Sequence, residues 1–268
     1  MIFDANMDFT RKARFVANGA KTPGPKESAY AGVLSREIVC ITFTYAALMG
    51  FNVMTDDIKK TYLQAPTNEK YWTTCDPEFG TEEAGKQAII VRALYGIKSS
   101  GRYFRNHLRN RMEHLGYTSC RDDPYLWMHK AVRSNWQYDY EYLLFYVDNY
   151  LAFIKNPTEL LQELDKYFPM KPGSVGLPKL YLGAKVSKTQ LPNGVESYAV
   201  STRKYAQEAV KNVEQHLTDK GTHLNIGGTA TLSPGYCPEL YASPELELQD
   251  ATYYQSFIGI LQWMVEMG

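Results

Sequence analysis

Two aspartates stand at points where chemistry is readily built. Asp57 closes the apolar run "FNVMTDD", and Asp148 interrupts "YEYLLFYVDNYLAFIK", a stretch otherwise rich in aromatic and branched side chains. If the two strands that end there are neighbours, both carboxylates converge on one hard divalent cation such as Mg²⁺, which takes a few carboxylates plus substrate phosphates. Spacing alone leaves this open, because an Asp at a turn is more often turn chemistry. A second feature is basic. Arg102, Arg105 and Arg109 recur at steps of three and four, Arg92 and Lys98 add charge, and no acid falls between residues 92 and 112. Such a face suits phosphate contacts, and equally suits plain solvation of a helix.

Other chemistries find less footing. The chain has no Gly-x-x-x-x-Gly-Lys-Ser/Thr, no His-Glu-x-x-His, no Gly-x-Ser-x-Gly and no Gly-x-Gly-x-x-Gly on a strand-to-helix turn. The five histidines, at 107, 114, 129, 216 and 223, show no metal-ligand spacing. The 21 tyrosines fit base or sugar stacking and ordinary packing alike. With 29 basic and 29 acidic residues, any nucleic-acid partner must be held by a local patch. The four cysteines lie far apart without a Cys-x-x-Cys pair, which suits a reducing compartment. "MIFDANMDFTRKARF" is charged from Asp4 onward and lacks the apolar core of a signal peptide. The uncharged run from Ile38 to Thr55 carries threonines, an asparagine and a glycine, so it reads as a core helix entering a strand and not as a membrane span.

The elements that must position these residues follow from periodicity. Val39, Phe43, Ala46 and Ala47 have helical spacing within 36–49, and Gly50 is a natural stop. "FNVM" is then a strand leading to Asp56 and Asp57. After the "ALYGIKSSG" turn a helix carries Phe104, Leu108, Met112 and Leu115 on one stripe, with Ser99 or Ser100 available as its cap. Residues 140–147 and 150–154 predict a hairpin turning at Asp148-Asn149, with Asp148 at its tip. An amphipathic helix over Pro157–Phe168, with Leu160, Leu161, Leu164 and Tyr167 inward, leads into the loop "PMKPGSVGLPK". Strands "LYLGAKVSK" and "ESYAVS" flank an "LPNG" turn, and a helix over Arg203–His216 places Tyr205, Ala209 and Val213 inward. A Gly/Pro/Ser-rich linker follows. The closing "ATYYQSFIGILQWMVEMG" reads as a helix cut mid-pattern, which predicts a fragment of a longer polypeptide.

Taken in order, these segments resemble the reverse transcriptases of copia-type LTR retrotransposons over nearly the whole chain. "RKARFVANGAK" is similar to the fingers motif, "DIKKTYLQAP" to the strand with the first catalytic Asp, and "EKYWTTCDPEFG" to the segment after it. "RALYGIKSSGRYF" resembles the template and nucleotide turn and its helix. "DDPYLWM" then precedes "YVDN", which stands where the family has Tyr-Val-Asp-Asp, and "YFPMKPGS" and "YLGAKV" resemble the next loop and the primer grip. The resemblance implies an α+β fold of right-hand polymerase type, with fingers and a ferredoxin-like palm over 1–195 and a partial thumb over 196–268. It implies RNA-directed DNA synthesis by a two-metal mechanism, with Asp57, Asp148 and Asn149 at the catalytic positions and Asp57 and Asp148 holding two Mg²⁺, or Mn²⁺ in their place. Tyr62 matches the steric gate, Lys98 and Arg102 lie near template and nucleotide, Lys12 and Arg14 face the triphosphate, and Leu182 and Gly183 match the primer grip. Lys171 is implied as a general acid for pyrophosphate. The implied partners are an RNA template, a DNA or tRNA primer and dNTPs, without a membrane, in a cytoplasmic virus-like particle or the nucleus.

The departures from the family are local. Asn149 replaces its second hairpin Asp, and an amide ligates a hard cation without bringing charge. Lys60 and Thr61 replace the family's usual small or polar residue and Ala beside the nucleotide pocket, where the bulkier Thr61 would crowd a triphosphate. A second reading is therefore a folded, catalytically inert remnant that at most binds nucleic acid through residues 92–111. A third is an unrelated soluble α/β domain.

Overall fold

The "YEYLLFYVDNYLAFIK" stretch supplies two neighbouring strands of an antiparallel sheet in the computed structural model, which describes residues 2–5, 11–24, 34–132, 136–181, 183–224, 237 and 244–267. In chain order the strands are β1 (Ile2–Ala5), β2 (Arg11–Arg14), β3 (Asn52–Asp57), β4 (Pro66–Thr74), β5 (Gln87–Arg92), β6 (Thr118–Ser119), β7 (Leu126–Val132), β8 (Tyr138–Tyr146), β9 (Asn149–Ile154), β10 (Leu180–Tyr181), β11 (Ala184–Gln190) and β12 (Glu196–Ser201). The helices are α1 (Arg36–Met49), α2 (Thr61–Gln64), α3 (Ser100–His114), α4 (Pro157–Tyr167), α5 (Arg203–Asp219) and α6 (Leu248–Met267). Helices together with wholly antiparallel sheets make this an α+β arrangement, in two units, Met1–Pro178 and Lys179–Gly268.

The first unit is organised by a five-stranded sheet in the order β3-β9-β8-β7-β6, with β1-β2 and β4-β5 as separate hairpins. Strand β9 is buried from Tyr150 to Ile154. Helix α1 sets Phe43 edge-on against Phe153, with ring centroids 5.1 Å apart, while Leu161 and Asp165 of α4 share a cavity wall with Met54 and Asp56 of β3. Asp56 pairs with Tyr150, and Tyr150 and Phe153 lie on opposite faces of β9 by the alternation of a strand. Burial on both faces is why β9 reads as an unbroken apolar run.

Helix α1 has the predicted bounds. Ser35 Oγ accepts from Ile38 N at 3.4 Å, and Gly50, at φ 64°, ends it in the left-handed conformation that favours glycine. At α3 the stripe of Phe104, Leu108 and Met112 is buried as expected, but neither serine caps the helix through its side chain. Ser99 Oγ donates to Glu69 Oε2, and Ser100 Oγ donates to Leu94 O at 2.6 Å, so both hydroxyls are committed to the preceding turn and to β4. The short helix α2, entered through Lys60 at φ 52°, carries no periodic signal of its own.

In the second unit, β10-β11-β12 form a small sheet with Ala184 and Val186 buried, and His216 of α5 stacks on Tyr253 of α6 at 3.6 Å. Helix α5 runs on to Asp219, beyond the predicted end at His216, and α6 starts at Leu248. Most of the predicted linker lies outside the described residues. Among those that are described, no helix is long and apolar enough to cross a membrane.

Candidate active site

Strand β3 pairs with β9 so that Asp57 faces Asn149, which places Asp148 beside Asp57 at the end of the ladder. The backbone holds this closure, with Ile58 N donating to Asp148 O at 2.8 Å. The hairpin turns one residue earlier than its side chains suggest. Tyr146 pairs with Asn149, so Val147 and Asp148 form the loop and Asn149 opens β9. Val147 adopts φ 55°, a conformation that is unfavourable for a β-branched residue and is retained where the surroundings enforce it. Asn149 Nδ2 donates to Asp148 Oδ1 at 3.2 Å.

The free edge of β3 is covered by the loop that follows α4. Lys59 N donates to Pro169 O at 2.8 Å, Lys171 N to Asp57 O at 2.8 Å, Thr55 N to Gly176 O at 2.8 Å, and Gly176 N to Thr55 O at 3.1 Å. Residues 169–176 thus act as a strap along an edge that would otherwise present unpaired backbone groups. The strap delivers Lys171 to the site. Its Nζ pairs with Asp57 Oδ2 and lies 3.8 Å from Asp148 Oδ2. Ser174 anchors the strap by donating to Asp56 Oδ1, an atom that also accepts from Asp57 N at 2.8 Å. Asp56 points to the opposite face from Asp57 and is 2% exposed. Burial pushes its carboxyl pKa up, opposed by the hydrogen bonds from Ser174 and Asp57 N. Tyr150, across the ladder, is pushed up by burial and then by the Asp56 charge.

An aromatic pair flanks the carboxylates. Tyr62 of α2 packs on Tyr95 with centroids 4.8 Å apart, and Phe104 lies 6.4 Å from Tyr62. Both phenols are raised, first by burial. Tyr62 then feels Tyr95 and Asp148, and Tyr95 feels Asp148 and Asp57 against the opposing charge of Arg14. Arg14, Tyr62 and Tyr95 therefore share the electrostatic neighbourhood of the two aspartates. Thr61, at the start of α2, is buried. It is 1% exposed and donates to Ile58 O at 3.0 Å.

The "RKARFVANGAK" segment lies on the "ALYGIKSSG" turn through close backbone approach. Ala17 N donates to Tyr95 O at 2.8 Å, and Lys98 Nζ donates to Thr22 O at 3.3 Å. Gly96, at φ 87°, leaves no room for a side chain, since a Cβ there would stand 2.0 Å from Ala17 O. Lys12 lies in β2 opposite Asp4, and Arg14 is exposed. On α3, Arg102 stacks over Tyr103 at 5.2 Å and Arg105 over Tyr125 at 5.3 Å, while Arg109 is exposed. Gly183 belongs to the second unit, where it turns β10 into β11 at φ 88° with its Cα facing Tyr205 and Trp263. Leu182 lies outside the described residues.

The donor set suits one hard cation. Asp57 and Asp148 bring two carboxylates to one point, and Asp57 Oδ1 is buried without a hydrogen-bond partner, an acceptor left for something else to satisfy. A richer cage is absent: among the described residues no group of three His, Cys, Asp or Glu side chains could hold a metal ion. Sequence reasoning overlooked Tyr95, Asp56 and Ser174. Tyr95 could have been found as the one aromatic within the glycine turn, but nothing local marks Asp56 or Ser174, whose roles depend on the strap.

No model of a known protein family matches the chain. Its sequence is similar to two retrovirus-related Pol polyproteins of Arabidopsis thaliana. It is 24% identical over 259 residues to that of transposon RE1 and 23% identical over 260 residues to that of transposon RE2. Each match covers 94% of this chain but 16% of the polyprotein, so the chain is similar to one segment of a retrotransposon Pol polyprotein.

Proposed function

We propose that this chain is the reverse transcriptase domain of a copia-type retrotransposon Pol polyprotein, an RNA-directed DNA polymerase of right-hand architecture. Its fingers and palm occupy residues 1–195 and its partial thumb residues 196–268. The observation that carries the reading is the pairing of Asp57 with Asn149, which sets the carboxylate that ends β3 beside that of Asp148 in the β8–β9 loop. The similarity to retrotransposon Pol polyproteins supports it.

Mg²⁺, or Mn²⁺ in its place, held by Asp57 and Asp148 would supply positive charge to a primer 3′-oxygen and a triphosphate. The rings of Tyr62 and Tyr95 offer apolar faces to the sugar and base of a dNTP. Arg14 and Lys12 serve the triphosphate, and Lys98 and Arg102 the phosphates of an RNA template paired to a DNA or tRNA primer. Leu182 and Gly183 belong to the primer grip, and the enzyme works in a virus-like particle or the nucleus.

A second reading, an inert remnant that retains nucleic-acid binding, is favoured by one feature. The amide of Asn149 is turned onto Asp148 as a donor, in place of a third carboxylate. Mg²⁺-dependent extension of a DNA primer on an RNA template decides between them. The native chain is expected to extend the primer and Asp148→Ala to lower the rate ~10³-fold or more, the scale of losing a main electrostatic contributor. Extension by Asn149→Asp alone would establish the remnant, and silence in both would overturn the polymerase reading for this chain.

A further inference from the structure

The two carboxylates already have a cation. Lys171 Nζ contacts both Asp57 Oδ2 and Asp148 Oδ2, and the strap fixes the backbone from which this side chain reaches them. Its backbone N–H is fixed to Asp57 O at 2.8 Å, and the Ser174 hydroxyl shares its one proton between Lys171 O, at 2.6 Å, and Asp56 Oδ1 on the far side of the strap. With Asn149 neutral, two carboxylates face one ammonium, which leaves a single net negative charge where a divalent ion would enter.

We infer that Lys171 is a tethered counter-ion that occupies the divalent-cation site, so that a metal ion binds Asp57 and Asp148 only by displacing the ammonium. The chain itself then holds at most one divalent ion, weakly, and the strap sets the metal concentration that the site requires. This rests on the reading of Asp57 and Asp148 as the metal-binding pair, and it assigns Lys171 a role in the resting site. A unit charge within ~4 Å of an incoming ion is repulsive on a scale that changes affinity at least ~10-fold, even with strong solvent screening. Neutralising Lys171 therefore releases the site.

Mn²⁺ binding to the purified chain, counted from the free-ion electron paramagnetic resonance signal, tests this without any turnover. Lys171→Met should tighten Mn²⁺ binding ~10-fold or more. Lys171→Arg, which keeps the charge, should leave it weak, and this arm separates charge from lost packing. Ser174→Ala, which removes one side-chain anchor of the strap with Lys171 intact, should tighten it by a smaller factor. Equal affinity in the native chain and Lys171→Met, with binding still abolished by Asp57→Asn, would overturn the counter-ion and leave the polymerase reading standing. Binding indifferent to both Asp57→Asn and Asp148→Asn would overturn the two together. So would a failure of Lys171→Met and Asn149→Asp to bind Mn²⁺ while their circular dichroism matches the native chain.

Discussion

The β3–β9 ladder has two unlike ends. At one, Val53 faces Phe153 and both are fully buried, with Phe43 of α1 edge-on to the ring. At the other, Asp57 faces Asn149, Val147 takes a left-handed conformation, and a lysine from a distant loop lies between two carboxylates. The same hydrogen-bonded frame serves both, so the apolar end fixes the register that makes the polar end possible. A one-residue slip would turn Asp57 to the opposite face. Apolar packing and the carboxylate cluster are thus separated along one ladder by the length of a short strand.

Substitution at the apolar end breaks that arrangement most severely. Phe153→Ala removes a fully buried ring and is expected to cost ~3–5 kcal/mol, read as a lower midpoint in urea unfolding, because the cavity cannot collapse between two packed faces. Asp148→Ala at the polar end is expected to leave that midpoint close to native while extension is lost. Equal unfolding losses in the two variants would mean that the ends are one cooperative unit in which the site residues also hold the fold.

Gly96→Ala probes an intermediate case, where backbone and site meet. Its Cβ would meet Ala17 O and Val16, and φ 87° disfavours any L side chain. The expected loss is ~1–3 kcal/mol, accompanied by weaker dNTP binding, since the segment bearing Arg14 must lift from the Tyr95 turn. Unfolding measured with and without dNTP separates the two effects. A stability loss with unchanged dNTP affinity would detach the "RKARFVANGAK" segment from the site.

The two ends also differ in how far their structure is legible in the sequence. Helix α1, the stripe of α3 and the apolar body of the hairpin follow from periodicity, because burial imposes a local repeat. Asp57 and Asp148 stand out as polar interruptions, yet their meeting depends on a register between strands far apart in sequence. Asp-Asn has the chemistry of a hairpin loop, yet the pairing of Tyr146 with Asn149 takes Val147 into the loop instead and shifts the turn by one residue. Ser99 or Ser100 is a cap by residue type, but Ser99 is drawn to Glu69 of β4 and Ser100 to Leu94 in the preceding turn. The strap is the least legible feature. "PMKPGSVG" has no periodicity, and its function comes from the edge on which it lies.

The smallest expected effect concerns the point where that strap leaves the core. His107 of α3 sits edge-on to Phe168, the fully buried residue just before the strap, at 5.6 Å between centroids. Burial lowers the imidazole pKa, and the charges of Arg111 and Arg92 lower it further. A histidine whose pKa is depressed in the folded state binds fewer protons there than when unfolded. Its contribution is therefore complete above the ordinary value of 6.5 and is lost as pH falls through the depressed folded value. Unfolding free energy of the native chain should thus decline below pH 6.5, and His107→Gln should flatten that decline. If the Mn²⁺ affinity of the native chain rises over the same interval, loosening at Phe168 reaches Lys171 and the strap couples the two ends. An affinity that does not rise over that interval would confine His107 to the core.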